Sequence, residues 1–271
     1  MSSKKKNINS IRTALIVDNL SPFTPDIIAC LEKLGSNYVC RSVSSLAAAT
    51  LDGNDNHDSS DYDAKINNLD YEINDKNKRN NDFHSGSKDY DYNNSIDDDY
   101  NNNNDDPNTN GIGAFNYDKV ILSGRRLYSK DTNVVNSRII KHCFEDNIPV
   151  LGICYGAEIL ALTLGGTLRR MDNPVHESIP VTVLRSSPLM SGTTTNTITA
   201  ATTTTHNTMR VFESHRYCVA KLPQDFEVVA SSEHCKYEIF SHKHKKLFGT
   251  QFHPEKSGTD GLNLLSNFLN L

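Results

Sequence analysis

Cys154 lies in a short segment whose composition fits a reactive nucleophile. It stands between Gly152 and Gly156, directly after the apolar run at residues 150–153. That run has the length and β-branched content of a buried strand, and the residues that follow it carry the apolar pattern of a helix. Strand, sharp turn and helix together form a nucleophile elbow, in which the glycines leave room beside the reactive atom.

This placement favours chemistry at the sulfur of Cys154. A thiol at a helix N-terminus lies at the positive end of the helix dipole, which favours the thiolate and predicts a lowered pKa. Free backbone N–H groups at the start of the helix, that of Tyr155 first, can bind an oxyanion. A small buried cysteine at the end of a core strand is the alternative that this segment leaves open.

His253 and Glu255 offer the groups that a cysteine nucleophile needs for proton transfer. A base must take the proton of the thiol and later return it to the leaving group. His253 follows a predicted strand at residues 247–251, and the carboxyl ends of parallel strands are where such a sheet places its site. Glu255 can orient the imidazole and stabilise its cation. We therefore predict a catalytic triad of Cys154, His253 and Glu255.

Strands and helices alternate along the first part of the chain. Residues 14–17 and 38–42 are predicted strands, and between them Thr24 caps a helix that ends at Gly35. Later strands and helices are predicted at residues 119–122, 132–147, 179–184, 226–230, 237–241, 247–251 and 261–269. The alternation predicts an α/β fold, with a mostly parallel central sheet flanked by helices and a small additional antiparallel strand block.

Residues 51–113 interrupt this pattern with a segment rich in Asn and Asp. The segment has 15 Asp and 1 Glu against 4 Lys and 1 Arg, so its net charge is −11, whereas the whole chain carries −5. Its few aliphatic side chains cannot offset the ordering entropy, which predicts a disordered surface insertion. Calcium binding is disfavoured because the ligand spacing of a calcium loop is absent. We expect one domain at residues 11–271, interrupted by this insertion and by a Thr-rich loop at residues 191–208.

The composition argues against several classes of function. Outside the insertion the positive charge is mild and scattered, so nucleic acid binding is not predicted. No apolar stretch approaches the length of a membrane span, and the N-terminus lacks a signal-peptide core. The six cysteines show no CxxC pair and no zinc spacing. We expect no metal site, and free thiols in a reduced cytoplasmic compartment.

The two motifs together resemble those of the class I (triad) glutamine amidotransferase family. Residues 152–156 read Gly-Ile-Cys-Tyr-Gly, and residues 249–255 read Gly-Thr-Gln-Phe-His-Pro-Glu, in the order that the family has. Further matches are Asp18-Asn19, Leu122-Ser123-Gly124, Gly165-Gly166 and Ser214-His215. The resemblance covers the foldable chain and implies a flavodoxin-like fold. It also implies that L-glutamine is hydrolysed at Cys154 through a thioester.

The resemblance further implies roles for residues around the triad. Backbone N–H groups of Tyr155 and near Gly124 would bind the oxyanion. The residues at substrate-contacting positions are Glu158, Ser214 and His215. Relatives usually have Gln in place of Glu158 and commonly Pro in place of Arg125, so both positions bear on substrate choice. A solvated helix residue is the alternative interpretation of Glu158.

Within the family, Tyr155 and the run at residues 214–235 are similar to the glutaminase subunit of GMP synthase. Residues 18–24 instead resemble anthranilate and aminodeoxychorismate synthase glutaminases, and residues 256–262 the imidazole glycerol phosphate synthase glutaminase. Such a subunit would need no cofactor of its own. Because the chain ends after its last predicted helix, we expect ammonia to pass to a separate synthetase, for GMP synthase an ATP-pyrophosphatase that uses ATP, magnesium and xanthylate. A stand-alone γ-glutamyl hydrolase is the enzymatic alternative, and a regulatory pseudoenzyme is disfavoured by the intact triad.

Overall fold

A computed structural model describes residues 12–51, 117–126, 130–191, 195–198 and 205–271 of the chain. The predicted insertion at residues 51–113 lies outside these ranges, apart from Leu51. The single-domain organisation therefore stays a prediction. None of the helices in the described ranges is long and apolar enough to cross a membrane.

The described residues form ten strands and five α-helices, with two short 3-10 turns. In chain order these are β1 (Thr13–Asp18), α1 (Thr24–Lys33), β2 (Asn37–Ser42), α2 (Val43–Leu51), β3 (Lys119–Leu122), α3 (Lys130–Asp146), β4 (Val150–Ile153), α4 (Tyr155–Thr163), β5 (Thr167–Val183), β6 (Thr195–Ile198), β7 (Thr205–Lys221), β8 (Phe226–Ser231), β9 (Ile239–His242), β10 (Leu247–Thr250) and α5 (Gly258–Leu269). The 3-10 turns span Pro188–Met190 and Pro254–Lys256.

The described strands join into one mixed sheet in the order β2-β1-β3-β4-β10-β9-β8-β5-β7-β6. The first five strands in this order run parallel, and each later neighbouring pair is antiparallel. The prediction of an α/β fold with a parallel centre is confirmed. The antiparallel strands extend the same sheet rather than forming a separate block.

Two hydrophobic clusters cover the two faces of the parallel part of the sheet. Ala14 and Ile16 belong to one cluster, and Leu15 and Val17 to the other. Successive side chains of a strand point to opposite faces, so the clusters lie on opposite sides. The first cluster contains apolar residues of α1 and α5, and the second contains those of α2, α3 and α4. Burial on both faces explains why the central strands read as continuous apolar runs.

The Thr-rich segment differs from its prediction as a loop. Residues 195–198 form β6, and β7 already begins at Thr205. Thr is β-branched and suits a pleated strand, and β6 pairs antiparallel with the start of β7. Similarly, the strand predicted at residues 179–184 is the end of the longer β5, which pairs with β7. Low complexity in this segment therefore does not exclude strand pairing.

Candidate active site

Cys154 and His253 come to the same edge of the sheet because β4 and β10 are parallel neighbours. Gly152 pairs with Gly249, and Ile153 with Thr250. The backbone N–H of Cys154 donates to the carbonyl of Thr250 at 2.7 Å. Both side chains therefore follow the carboxyl ends of adjacent strands, which is the edge at which we predicted the site.

The turn that carries Cys154 is held in a conformation that few residues adopt. Cys154 has φ 52° and ψ −108°, and such backbone geometry outside the favoured regions persists only where its surroundings enforce it. A Cβ at Gly152 would collide with the backbone of Gly156, and a Cβ at Gly156 would collide with the carbonyl oxygen of Leu122. The elbow thus requires glycine at both positions.

His253 is fixed from two sides. Its Nδ1 lies 2.8 Å from Oε1 of Glu255, and both residues are buried. The ring of Phe23 packs edge-on against the imidazole, with 4.7 Å between centroids. Because Nδ1 faces Glu255, Nε2 is the ring nitrogen that remains for the thiol of Cys154. The structure therefore places the three residues of the predicted triad close together, and their catalytic roles stay a prediction.

A closed set of hydrogen bonds ties the backbone of His253 to β7. The N–H of His253 donates to the carbonyl of Phe212 at 2.9 Å, and the N–H of Phe212 donates to Oγ of Ser257 at 3.0 Å. The Ser257 hydroxyl donates to the carbonyl of His253 at 2.6 Å. Ser214, two residues beyond Phe212, places its carbonyl 3.8 Å from the sulfur of Cys154. Strand β7 therefore contacts both the imidazole turn and the thiol.

Burial dominates the acidity of Cys154. It raises the pKa of Cys154 above the ordinary value of 9.0, although His253 and the N–H of Tyr155 act in the opposite direction. The predicted lowering of this pKa is wrong, because desolvation outweighs the helix N-terminus. Burial alone would lower the pKa of His253, but the charges of Cys154 and Glu255 raise it to about 10. A thiolate at this position therefore exists as one half of an ion pair with the imidazolium.

The predicted oxyanion residues lie beside the sulfur. The backbone N–H of Tyr155, at the start of α4, is close enough to the sulfur of Cys154 to act against the rise in the pKa of that thiol. A Cβ at Gly124 would lie 3.1 Å from Cε1 of His253 and 3.8 Å from Cβ of Cys154. The Gly124 backbone thus approaches both reacting groups from the end of β3, and a side chain there would crowd them. Their role as oxyanion donors stays a prediction.

Asn19 joins the loops that follow β1 and β3 around this site. Its backbone N–H donates to Oγ of Ser123 at 2.9 Å, and its Nδ2 donates to the Ser123 carbonyl at 3.0 Å. Asn136 of α3 donates in turn to Oδ1 of Asn19 at 2.6 Å. All three residues are buried. This bridge fixes the loop that carries Gly124, and sequence patterns gave no sign of Asn136.

A cavity of about 770 Å³ opens above the thiol. Six predicted site residues line it: Cys154, Tyr155, Glu158, Ser214, His215 and His253. Of the other two, Glu255 is buried behind the imidazole, and Gly124 follows β3. The structure therefore places every predicted site residue in or directly behind one cavity.

Glu158 lies in the wall of this cavity and is only 8% exposed, so it is not a solvated helix residue. Its Oε1 accepts from Nε2 of Gln251 at 3.0 Å. Burial raises its pKa, whereas the bond from Gln251 and the charges of His215 and Arg125 oppose this shift. Arg125 stacks on the ring of Tyr155, with Cζ 3.9 Å from the centroid. A carboxylate and a guanidinium thus lie along the same cavity.

Two buried acids, Glu213 and Glu238, were missed by the sequence analysis. Glu213 accepts from Nε2 of His215 at 2.9 Å, and the hydroxyl of Ser232 donates to Glu238 at 2.5 Å. The sequence did contain a sign that Glu213 lies near the site, because Val211, Glu213 and His215 alternate along β7 and therefore share one face. For Glu238 no comparable signal exists, since it lies in the turn before β9.

Glu238 makes the free energy of unfolding depend on pH. Burial and the neighbouring Glu213 raise its pKa from the ordinary value of 4.5 to about 10. Between these values the folded protein holds a proton that the unfolded chain has released. The free energy of unfolding therefore falls as pH rises, by about 1.4 kcal/mol per pH unit for one proton. Glu238→Gln, which titrates no proton, is expected to flatten this fall between about pH 6 and 9 in urea denaturation.

The matched control for this prediction is Glu227→Gln on β8, whose side chain is partly exposed and pairs with Arg185. It should retain the pH dependence of the parent protein. Equal slopes in the parent protein and in both variants would contradict a protonated Glu238.

Comparisons with known proteins agree on one family. The model of the class-I glutamine amidotransferase family matches residues 93–271. A glutamine-hydrolysing GMP synthase subunit of Pyrococcus abyssi is 31% identical over 169 residues, which are 61% of this chain and 82% of that protein. GMP synthase of Salmonella typhimurium is 33% identical over 156 residues, 57% of this chain. Because those residues are only 29% of the Salmonella protein, the activity of that whole protein is not transferred by the match.

Solved structures show the same fold. A candidate GMP synthase subunit of Thermoplasma acidophilum superposes with a TM-score of 0.60 at 21% identity, over 96% of this chain and 93% of that one. A glutamine amidotransferase of Thermotoga maritima superposes with a TM-score of 0.52 at 16% identity, over 90% and 76% of the two chains. With the family match over residues 93–271, the elbow and the site at the carboxyl edge of the sheet lead to one conclusion. This chain belongs to the class I glutamine amidotransferase family.

Proposed function

We propose that this chain is a glutaminase subunit. It hydrolyses L-glutamine to glutamate and ammonia and passes the ammonia to a separate synthetase. The observation that carries the proposal is that Cys154 and His253 line one cavity, with Glu255 buried behind the imidazole and 2.8 Å between His253 Nδ1 and Glu255 Oε1. A thiol, a base and an orienting carboxylate are the groups that thioester chemistry requires.

In this mechanism the thiolate of Cys154 attacks the side-chain amide carbon of glutamine. The tetrahedral oxyanion is stabilised by backbone N–H groups of Tyr155 and near Gly124. His253, held by Glu255, gives its proton to the departing nitrogen, so ammonia leaves and a γ-glutamyl thioester remains. His253 then takes a proton from water, which attacks the thioester and releases glutamate. Every step is served by side chains or backbone of this chain, so we propose that it needs no metal or organic cofactor.

We assign recognition of the amino-acid part of glutamine to Glu158, Ser214 and His215. The carboxylate of Glu158 lies in the cavity wall and can accept from the α-ammonium group. Ser214 adjoins the thiol through its backbone carbonyl, and its hydroxyl lies 3.0 Å from Nδ1 of His176. A negative group and a polar strand in the cavity wall support this assignment.

GMP synthase is the system that the similarities favour, since the Pyrococcus relative is named as one of its subunits. On this proposal the partner is a synthetase of the ATP-pyrophosphatase type that binds ATP, magnesium and xanthylate. The cytoplasmic location and the single domain at residues 11–271 belong to the same proposal. A stand-alone γ-glutamyl hydrolase is the second candidate, because the buried Glu158 replaces the Gln that amidotransferases usually have.

Ammonia release from glutamine tests the proposal. The full chain is assayed alone and with an ATP-pyrophosphatase subunit supplied with ATP, magnesium and xanthylate, and the synthetase alone serves as the control. We expect slow release by the chain alone and a stimulation of at least about tenfold by the loaded partner, because the two sites are coupled. Rapid hydrolysis of γ-glutamyl peptides without a partner would contradict the proposal in favour of the hydrolase. No ammonia release under either condition would contradict the glutaminase proposal, and no hydrolysis of γ-glutamyl peptides in addition would contradict both.

A further inference from the structure

Glu213 and Glu238 form an unusual pair of acids inside the sheet. Each side chain is 0% exposed, and Glu213 is close enough to Glu238 to raise the pKa of that acid. Each has one oxygen bonded elsewhere, Oε2 of Glu213 to His215 and Oε1 of Glu238 to Ser232. The remaining oxygens, Oε1 of Glu213 and Oε2 of Glu238, are buried and accept no hydrogen bond from an N–H or O–H group among the residues that the structure describes.

Two carboxyl groups can hydrogen-bond only if one of them carries a proton. The hydroxyl of Ser232 accepts from the N–H groups of His234 and Cys235 at 3.1 and 3.0 Å, so its own hydrogen points to Glu238. Burial, together with Glu213, raises the pKa of Glu238 to about 10. The shared proton therefore resides on Glu238, which donates to Glu213.

His215 lies at the other end of this series, and both of its ring nitrogens face groups that accept hydrogen bonds. Its Nδ1 is 2.8 Å from the backbone carbonyl of Tyr217, which can only accept. Its Nε2 is 2.9 Å from the Glu213 carboxylate, which already accepts from Glu238. Although burial lowers the pKa of His215, its bond to Glu213 and the charge of Glu213 raise it above the ordinary value. A buried imidazolium thus lines the cavity.

The charge of His215 acts on Glu158. Burial penalises the ionised form of Glu158, and His215 is among the groups that oppose this penalty. Interactions between charges are strong where water is excluded, so a fixed cation near a buried carboxylate favours its ionised form. Both His215 and Glu158 line the cavity above Cys154.

We propose that Glu213 and Glu238 share one proton and thereby keep His215 cationic, and that this cation holds Glu158 as the carboxylate that recognises the α-ammonium group of the substrate. Glu213 and Glu238 are in this sense positioning residues, which act through His215 and Glu158. The part of the proposal that concerns substrate recognition by Glu158 rests on the proposed glutaminase function. The part that concerns the proton shared by Glu213 and Glu238 describes the protein without substrate, so it does not depend on that function.

Two substrates separate this role from a structural one. Glutamine is compared with 4-carbamoylbutanoate, which has the same side-chain amide and carboxylate but no α-amino group. Glu213→Gln should reduce the preference for glutamine, measured as the ratio of kcat/KM values, by at least about tenfold, mainly through KM. Glu227→Gln, the same change at an ion-paired position on β8, should keep the ratio of the parent protein. An equal loss for both substrates in Glu213→Gln would overturn the recognition role.

Spectroscopy tests the proton-sharing unit without substrate. Infrared difference spectra near neutral pH should show a protonated carboxyl band that disappears in Glu238→Gln and persists in Glu227→Gln. Nitrogen NMR of the parent protein should show His215 as an imidazolium, its signal assigned by loss in His215→Gln. A missing band, or a neutral His215, would overturn this half. If no ammonia is released from glutamine, the proposed function fails, whereas these spectra still decide the charge state.

Discussion

Replacing Cys154 by Ala is expected to reduce the turnover of glutamine by about four orders of magnitude or more, as for other covalent nucleophiles. No other cysteine can replace it, because the strained turn after β4 aims this sulfur at His253 and at the start of α4. The backbone donors and the cavity remain in the variant, so binding of glutamine should persist. Steady-state ammonia release at saturating glutamine, with the synthetase partner present, measures the effect.

Cys40→Ala provides the matched control for this change. Cys40 is half-buried on β2, the edge strand that is farthest in the sheet order from the antiparallel strands. The control should release ammonia at the rate of the parent protein. A rate in Cys154→Ala within tenfold of the parent would show that the thiol is not the nucleophile.

The second large effect is expected for His253→Ala, which should reduce turnover by about three to four orders of magnitude because both proton transfers pass through this imidazole. The variant should also slow alkylation of Cys154 by iodoacetamide. His253 is the foremost group that opposes the rise in the pKa of that thiol caused by burial. Ammonia release measures the first effect, and mass spectrometry of the modified cysteine measures the second.

His234→Ala is the control for the histidine change, since His234 is exposed in the turn after β8. Turnover and alkylation should both match the parent protein. If His253→Ala retained parental turnover while alkylation slowed, the imidazole would influence the thiol without serving as the base.

The centre of the fold could be predicted from local patterns. β1, β3 and β4 are continuous apolar runs, and the glycines around Cys154 indicate the elbow directly. By contrast, the strands of the Thr-rich segment depend on pairing of β6 with β7. The Thr-rich composition is compatible with both a loop and a strand, so pairing with β7 determines which of the two forms. Such a pairing leaves no local pattern in the sequence.

The site could be predicted as a set of residues but not as an electrostatic environment. Cys154, His253 and Glu255 were identified from residue type and order, and their proximity follows from the parallel pairing of β4 with β10. The direction of the Cys154 pKa was wrong because desolvation depends on atoms from many segments. Glu213 and Glu238 were missed for a related reason, since acidic side chains are ordinarily solvent-exposed.

The hydrogen bonds among Phe212, His253 and Ser257 couple the position of the imidazole to that of β7. A protein that binds to β7 outside the cavity would therefore act on the position of His253. Strands β5 and β7 pair along most of their length near one edge of the sheet, and β7 pairs through Phe212 with His253. Binding that twists these strands would displace the imidazole of His253 together with the carbonyl of Ser214, which lies beside the sulfur of Cys154. The distance between the sulfur of Cys154 and the imidazole of His253 would then change, although the bound protein touches no residue inside the cavity.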